Sequence, residues 1–264
     1  MRMNRQLIPA LMATTLAVPA SAHSPFTADG QATVATWSGV IVLLALWFMF
    51  LVGARTCALP LRRTWSFHLG CLLCALAAFG PLDHWAEHSA AAHMVQHMLF
   101  MVVIAPLWVW GQPMPALVAV GGKPLLAVWQ PFLFIARRPM WSAYLHAAVI
   151  WGWHTPVLYN LALLDPWWHA VEHACFLITA VLFWWSLLHN SRRETPVALV
   201  ALLFTLVHTG VLGALLTFST QPFYSQVQTL EDQQLAGLLM WVMGGLPYFG
   251  AAGWVGYQWL RRMR

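Results

Sequence analysis

The sequence predicts an all-α polytopic membrane protein, a bundle of seven transmembrane helices that follows a cleavable signal peptide. Of its 264 residues, 60% are hydrophobic and only 8% are charged, whereas a soluble domain carries about 25% charged residues. Apolar stretches of roughly 17–25 residues, the length that crosses a bilayer, recur along the chain. The 17 Trp residues fit bilayer interfaces, where Trp collects. This composition excludes an ordinary soluble enzyme, a disordered chain and a nucleic-acid-binding protein.

The N-terminal residues 1–22 are predicted to be a secretory signal peptide. Arg2 and Arg5 precede a mostly apolar stretch, and Ala20-Ser-Ala22 has the small-residue pattern of a cleavage site. Cleavage there leaves residues 23–264 as a single seven-helix transmembrane domain. His23 becomes the mature N-terminus, where its amine and imidazole can chelate one copper ion together. An uncleaved first helix is the alternative.

The basic residues orient the predicted spans. Of the 13 Lys and Arg residues, two are in the signal peptide, and the other eleven fall in segments that are cytoplasmic when the mature N-terminus is outside. Only one acid, Glu194, lies on that side, so the outer face is acidic and suits cations. The pI near 9.4 therefore reports topology rather than a nucleic-acid partner. The predicted spans lie near 34–54, 65–80, 93–110, 141–160, 169–188, 197–218 and 235–259. The eleven basic residues on the predicted cytoplasmic side are Arg55, Arg62, Arg63, Lys123, Arg137, Arg138, Arg192, Arg193, Arg261, Arg262 and Arg264.

The longest predicted loop covers about residues 111–140 on the cytoplasmic side. It is rich in Pro and contains Gly121-Gly122. Its apolar stretch 125–135 is expected to lie in the membrane interface as a short helix.

Two histidine pairs carry the functional prediction. His93 and His97 are four residues apart at the outer start of the third span, and His169 and His173 have the same spacing at the outer start of the fifth. Residues four apart share a helix face, so each pair presents two imidazoles side by side. Polar side chains in a membrane are costly, and neutral imidazole is a common ligand for copper, zinc and iron. If the two helices face each other, four imidazoles converge. The alternative is that the four histidines are interfacial side chains that hydrogen-bond to water or to the backbone.

Further groups are candidates to complete such a site. His154 lies near the outer end of the fourth span, His208 in the middle of the sixth, and Asp232 at the start of the seventh. His154 and Asp232 are the predicted accessory ligands, although Asp232 serves equally as a helix cap and His208 as an interhelical contact. Met94 follows His93, and Met98 follows His97; thioethers favour Cu(I), but Met also simply fills apolar space.

Two other patterns have less weight. His169-Ala-Val-Glu172-His173 matches the H-x-x-E-H zinc-protease pattern, with Glu172 as the base. A five-residue match is easily accidental, so we favour a carboxylate that orients a ligand His. Cys71 and Cys74 form C-x-x-C inside an apolar span, where small packing residues are the favoured interpretation.

Several motifs together indicate a family. His93-Met-Val-Gln-His97-Met resembles the signature of the CtaG family of bacterial cytochrome c oxidase assembly proteins. The resemblance extends over about residues 81–250, and one departure is Met243, where Pro is expected in many relatives. The other matching stretches are Pro81-Leu-Asp83, Trp153-His154-Thr-Pro156-Val-Leu-Tyr159, His169-Ala-Val-Glu172-His173 with Phe183-Trp184, Gly213-Ala-Leu-Leu-Thr-Phe218 and Glu231-Asp232-Gln-Gln-Leu-Ala-Gly237.

The resemblance implies a non-enzymatic factor of the bacterial plasma (inner) membrane that binds copper at the outer face and supports its insertion into a haem–copper oxidase. The implied partners are a cytochrome c oxidase subunit, a periplasmic copper donor and membrane lipids, with no nucleic acid. A membrane haem protein is one alternative, but His residues one turn apart, about 6 Å in rise, crowd two porphyrins. A metal-free scaffold for oxidase subunits is the other. The carried-over metal positions are His93, His97, His154, His169, His173 and Asp232.

Overall fold

A computed structural model describes residues 31–191, 193–224 and 229–263. Every regular element in these ranges is helical, as the sequence predicts. The predicted signal peptide and His23 lie outside the described residues. In chain order the elements are α1 (Gln31–Thr56), α2 (Leu61–Phe79), α3 (Pro81–Ala86), α4 (Ala90–Met98), a π-helical turn (Leu99–Ile104), α5 (Ala105–Gly111), α6 (Met114–Ala136), α7 (Pro139–Trp153), α8 (Pro156–Leu164), α9 (Pro166–Leu188), α10 (Thr195–Thr217), α11 (Leu230–Val242) and α12 (Gly245–Met263).

Within the described ranges, six helical segments are long and apolar enough to cross a membrane. This supports a multi-pass membrane protein, although the sequence predicts seven spans. The six segments are Ala32–Thr56, Ala90–Gly111, Met114–Ala136, Pro166–Leu188, Thr195–Thr217 and Leu230–Met263.

The second and fourth predicted spans do not coincide with a helix that is long and apolar enough to cross a membrane. Helix α2 has 19 residues, and its polar start lowers its mean hydropathy. Helix α7 has only 15 residues, because Pro156 disfavours helical backbone at Thr155. Thr155 is accordingly extended, with φ −68° and ψ 142°. The predicted span 141–160 is therefore two helices, α7 and α8, with His154 at the bend between them.

Helix α6 occupies the segment predicted as a cytoplasmic loop. Its apolar second half is helical, as expected for 125–135, but its first half is helical too. The chain bends at Gly122, where φ is 61° and ψ is −155°. The bend divides α6 into arms of about 12 Å and 21 Å, each shorter than the roughly 30 Å hydrocarbon core. Although its length and composition are those of a span, neither arm alone crosses a bilayer.

The helices run back and forth between two ends of the bundle. At one end the first turns of α4 and α9 meet through the rings of His93 and His169. At the other end the residues that follow α5 and α9 meet, where the side chains of Gln112 and His189 hydrogen-bond at 2.9 Å. The predicted metal ligands lie at the first end, and the described Arg residues flank helix termini at the second.

Glycine allows α10 and α11 to approach closely. A Cβ added at Gly237 would lie 2.6 Å from the carbonyl oxygen of Gly213, and a Cβ added at Gly213 would lie 2.9 Å from that of Gly237. Helix α11 also packs against α4. The close contact therefore fixes a neighbour of the helix that carries His93 and His97.

We expect Gly237→Val to lower the melting temperature of the detergent-purified protein. Overpacking costs about 1–3 kcal/mol, and the obstructing atom here belongs to the backbone, which cannot rotate away. A loss of that size lowers Tm by about 2–4 °C per kcal/mol in a chain of this length. Gly250→Val is the matched control, because no described atom lies within 4 Å of a Cβ added at Gly250. Equal melting temperatures for the two variants would contradict the close packing.

Candidate metal centre

Helices α4 and α9 bring the two histidine pairs together. The distance between the ring centroids is 4.1 Å for His93 and His97, and also 4.1 Å for His169 and His173. Across the helices, His93 lies 5.5 Å from His169, and His97 lies 5.6 Å from His173. The four imidazoles thus form one compact cluster, which is the juxtaposition that the spacing predicts when the two helices are neighbours.

The rings on α4 are buried without hydrogen bonds. His93 and His97 are each 1% exposed, and neither nitrogen of either ring hydrogen-bonds with any described residue. A buried polar atom that lacks a partner is costly, and native proteins leave few of them. A cation bound beside the two rings would give one nitrogen of each ring a partner.

Glu172 contributes a carboxylate to the same cluster. Its side chain is 1% exposed, and its Oε2 lies 3.7 Å from Nε2 of both His93 and His97. These separations are too long for hydrogen bonds. Two atoms that each bind one ion at about 2.0–2.2 Å lie no more than about 4.4 Å apart, so 3.7 Å suits two ligands of one ion. Ligand atoms of His93, His169 and Glu172 all lie within 4.8 Å of one another.

The position of Glu172 allows a larger role than the sequence predicts. The sequence predicts a carboxylate that orients a ligand histidine, whereas the 3.7 Å between its Oε2 and Nε2 of His93 and His97 also suits a direct ligand of the same ion. The signal is present in the sequence, because Glu172 is three residues after His169 and shares its helix face.

Asp83 is a ligand candidate that the histidine pattern misses. It lies on the short helix α3, is 2% exposed, and groups with His169 and His173 within 4.8 Å. Nε2 of Gln96 donates a hydrogen bond to Oδ1 of Asp83 at 2.7 Å and another to the carbonyl of Ala77 at 2.7 Å. The only sequence signal for Asp83 is its place in the Pro81-Leu-Asp83 motif.

Burial governs the protonation of Asp83. Removal from water raises the pKa of its carboxyl to about 7, although the hydrogen bond from Gln96 acts in the opposite direction. A cation bound beside it would stabilise the ionised form.

Asp232 caps a helix, but not the one that the sequence predicts: its carboxylate lies at the start of α4 rather than of its own helix, α11, whose N-cap is Thr229. Its carboxylate accepts hydrogen bonds from the hydroxyl of Ser89 at 2.8 Å and from the backbone N–H groups of Ala90 and Ala91. These groups form the N-terminus of α4, where a carboxylate is favoured. The structure therefore does not bring Asp232 into the cluster as a ligand. It positions the helix that carries His93 and His97.

His154 lies next to the cluster rather than in it. Its ring is 6.2 Å from the ring of Phe176, which in turn is 4.6 Å from that of His97. Nδ1 of His154 lies 2.7 Å from the carbonyl oxygen of Ile150, so Nδ1 carries the proton, and Nε2, without a hydrogen bond to any described residue, has its lone pair available. His154 is thus an accessory ligand candidate.

Two tyrosines cover the histidines on α4. The rings of Tyr159 and Tyr224 stack at 3.7 Å, and Tyr159 also contacts His93 at 5.5 Å. The hydroxyl of Tyr224 donates to the carbonyl of His154 at 3.1 Å. The histidine periodicity does not predict this cover, because it comes from α8 and the segment before α11.

The remaining candidates lie elsewhere. His208 packs against Phe204 at 5.0 Å, and no described ring contact joins it to the cluster. Met94 and Met98 belong to the main hydrophobic core, which favours the packing interpretation. A separate trio, His84, Glu87 and His88, forms a largely exposed group of potential ligands on and beside α3.

Comparison with known proteins gave one match. A family model described as cytochrome c oxidase caa3 assembly factor (Caa3_CtaG) matches residues 43–262. No curated protein and no solved structure gave a significant match. The matched range includes every ligand candidate described above, from Asp83 to Asp232.

Proposed function

We propose that this chain, which belongs to the family of cytochrome c oxidase caa3 assembly factors, holds a copper ion between α4 and α9 and supports its insertion into a haem–copper oxidase. Family membership indicates association with cytochrome c oxidase and a non-catalytic role. The observation that carries the copper proposal is the cluster of four imidazoles and one buried carboxylate, with unpaired nitrogens on His93 and His97.

The donor chemistry favours copper. Imidazole nitrogen binds copper, zinc and iron, and among divalent ions copper has the highest affinity for such sites. The sulfur ligands that would select Cu(I) are not prominent, because Met94 and Met98 pack in the core. The role in oxidase assembly then points to copper over zinc, since copper is an ion that a haem–copper oxidase must acquire.

The number of donors suits delivery. A closed structural site uses four ligands, whereas here His93, His169, His173, Glu172 and Asp83 make up two groups that share His169, and Nε2 of His97 lies 3.7 Å from Oε2 of Glu172. An excess of donors allows one ligand to replace another without release of the ion. This favours a carrier over a permanent metal centre.

A haem site is disfavoured by the space available. The cavity that reaches His169 and His173 has a volume of about 180 Å³, smaller than the roughly 300–1,000 Å³ of ordinary ligand pockets. The rings of His93 and His169 are 5.5 Å apart in a stacked arrangement, which leaves no slot for a macrocycle between them.

The topology that accompanies this function has seven crossings, formed by α1, α2, α4 with α5, α7, α9, α10 and α11 with α12. Helix α6 then remains on the cytoplasmic side, and the metal cluster faces outward. We expect a membrane-impermeant thiol reagent to label Thr220→Cys in intact cells, and Ser191→Cys only after permeabilisation, in a chain whose four native Cys are replaced by Ser. Labelling of both positions from the same side would contradict this orientation.

The function is tested by complementation of cells that lack the chain. The native protein is compared with a variant in which His93, His97, His169 and His173 are all Ala. We expect the native chain to restore the copper content and activity of the oxidase, and the variant to fail although it reaches the membrane at a normal level. Full restoration by the variant would overturn the copper proposal and favour the metal-free scaffold.

A further inference from the structure

Only part of the ligand cluster is accessible from outside the bundle. A groove of about 180 Å³ lies between α1 and α9 and is lined by Asp83, His169 and His173. His93, His97 and Glu172 do not line it, and each of these three is 1% exposed. The donors therefore divide into a buried group and a group that faces the groove.

The groove starts where α1 and α9 start. Its lining includes Ala35 in the first turns of α1 and Pro166 at the first position of α9. Its lining also includes Gly39 on α1 and Ala78 on α2. It therefore connects the His-bearing end of the bundle with Asp83, His169 and His173.

The two groups share a residue. His169 belongs both to the group with His93 and Glu172 and to the group with Asp83 and His173. The two groups therefore adjoin at His169. Tyr159 and Tyr224 cover the cluster on another side, and the groove is an opening that reaches Asp83, His169 and His173.

We propose that Asp83, His169 and His173 form an exchange subsite, through which copper enters and leaves the buried group by way of the groove between α1 and α9. This inference rests on the proposed copper function. The bonds from copper to His93 and Glu172 break as bonds to Asp83 and His173 form. The oxidation state of copper does not change, and no other reactant is required.

Gln96 is the positioning residue of this subsite. It lies on α4, the helix of His93 and His97, and holds the carboxylate of Asp83 by the hydrogen bond from its Nε2. Its second bond, to the carbonyl of Ala77 on α2, fixes the amide between two helices. The carboxylate is thus held in place beside His169 and His173.

The test compares exchange rates in variants that fill the groove. Gly39→Leu and Ala78→Leu each add a side chain to its lining, and the first would press on the ring of Phe79, 3.0 Å from an added Cβ. Gly250→Leu is the matched control in open space. Detergent-purified protein loaded with Cu(I) is mixed with a water-soluble Cu(I) chelator, and the release of copper is followed spectroscopically.

We expect both filling variants to retain the native copper content at equilibrium but to release and take up copper about tenfold more slowly, because packed side chains must move first. The control should exchange at the native rate. Asp83→Asn should also slow exchange.

Native exchange rates in both filling variants would overturn the route, and complete loss of bound copper in Asp83→Asn would place Asp83 in the resting centre instead. A native protein that binds no copper would overturn the proposed function itself. The last outcome is separate from the first two, because it appears before any variant is compared.

Discussion

The double substitution His93→Ala/His97→Ala is expected to abolish copper retention while membrane insertion remains intact. These two rings supply four nitrogens that hydrogen-bond with no described residue, and both lie 3.7 Å from the carboxylate of Glu172. Without them, the buried group retains only donors from α9. Copper per chain in the detergent-purified protein should fall by more than about tenfold. Loss of residues that only orient the ligands lowers metal affinity by about 10–100-fold, and loss of the ligands themselves should lower it further.

The matched control for this variant is His84→Ala/His88→Ala. That pair has the same spacing, its ring centroids are 5.1 Å apart, and both residues are exposed. It should leave copper content unchanged. Unaltered copper in the His93/His97 variant, or an equal loss in the control, would show that the cluster between α4 and α9 is not the site.

The substitution Glu172→Gln is expected to separate metal binding from stability. Gln keeps the shape of the side chain but removes its charge, and a buried carboxylate is costly when one of its oxygens, here Oε2, has no hydrogen bond to a described residue. The metal-free variant should therefore melt at or above the native temperature. Ligand that is 100-fold above its Kd stabilises a protein by about 2.7 kcal/mol, and the variant should lose most of this copper-dependent gain.

Thermal melts with and without Cu(I) measure both effects on the same samples. Glu231→Gln is the control, because Glu231 is an exposed acid in the first turn of α11, and it should keep the copper-dependent rise in Tm. A full rise in Glu172→Gln would mean that the carboxylate is not a ligand. A large fall in the metal-free Tm would instead indicate a structural role for its charge.

Local periodicity was enough to predict the two imidazole pairs but not their meeting. A spacing of four residues places His93 beside His97, and His169 beside His173, in any α-helix. Which helices are neighbours depends on packing between distant segments, such as the glycine contact of α10 with α11. The matching position of the two pairs at the outer ends of their spans raised the possibility that they act together, and the ring contacts between α4 and α9 provide the geometry.

The parts that the sequence did not predict lie where chain geometry is irregular. Asp83 is on a six-residue helix that has no periodicity to detect, and its role depends on contacts with α9. Gly122 and the prolines of α6 favoured a loop, whereas the chain accommodates them in a bent helix. The sequence leaves Asp232 as either a ligand or a cap of its own helix, whereas its carboxylate caps α4, a contact with Ser89 that only the structure shows.

The central claim is that the cluster between α4 and α9 binds copper. Its most direct test is metal analysis with a visible spectrum on native protein purified in detergent after Cu(I) loading and washing. We predict about one copper ion per chain, the occupancy expected of one compact ligand cluster, and no Soret band. Absence of copper, or a Soret band that is lost when the four histidines are replaced by Ala, would contradict the claim.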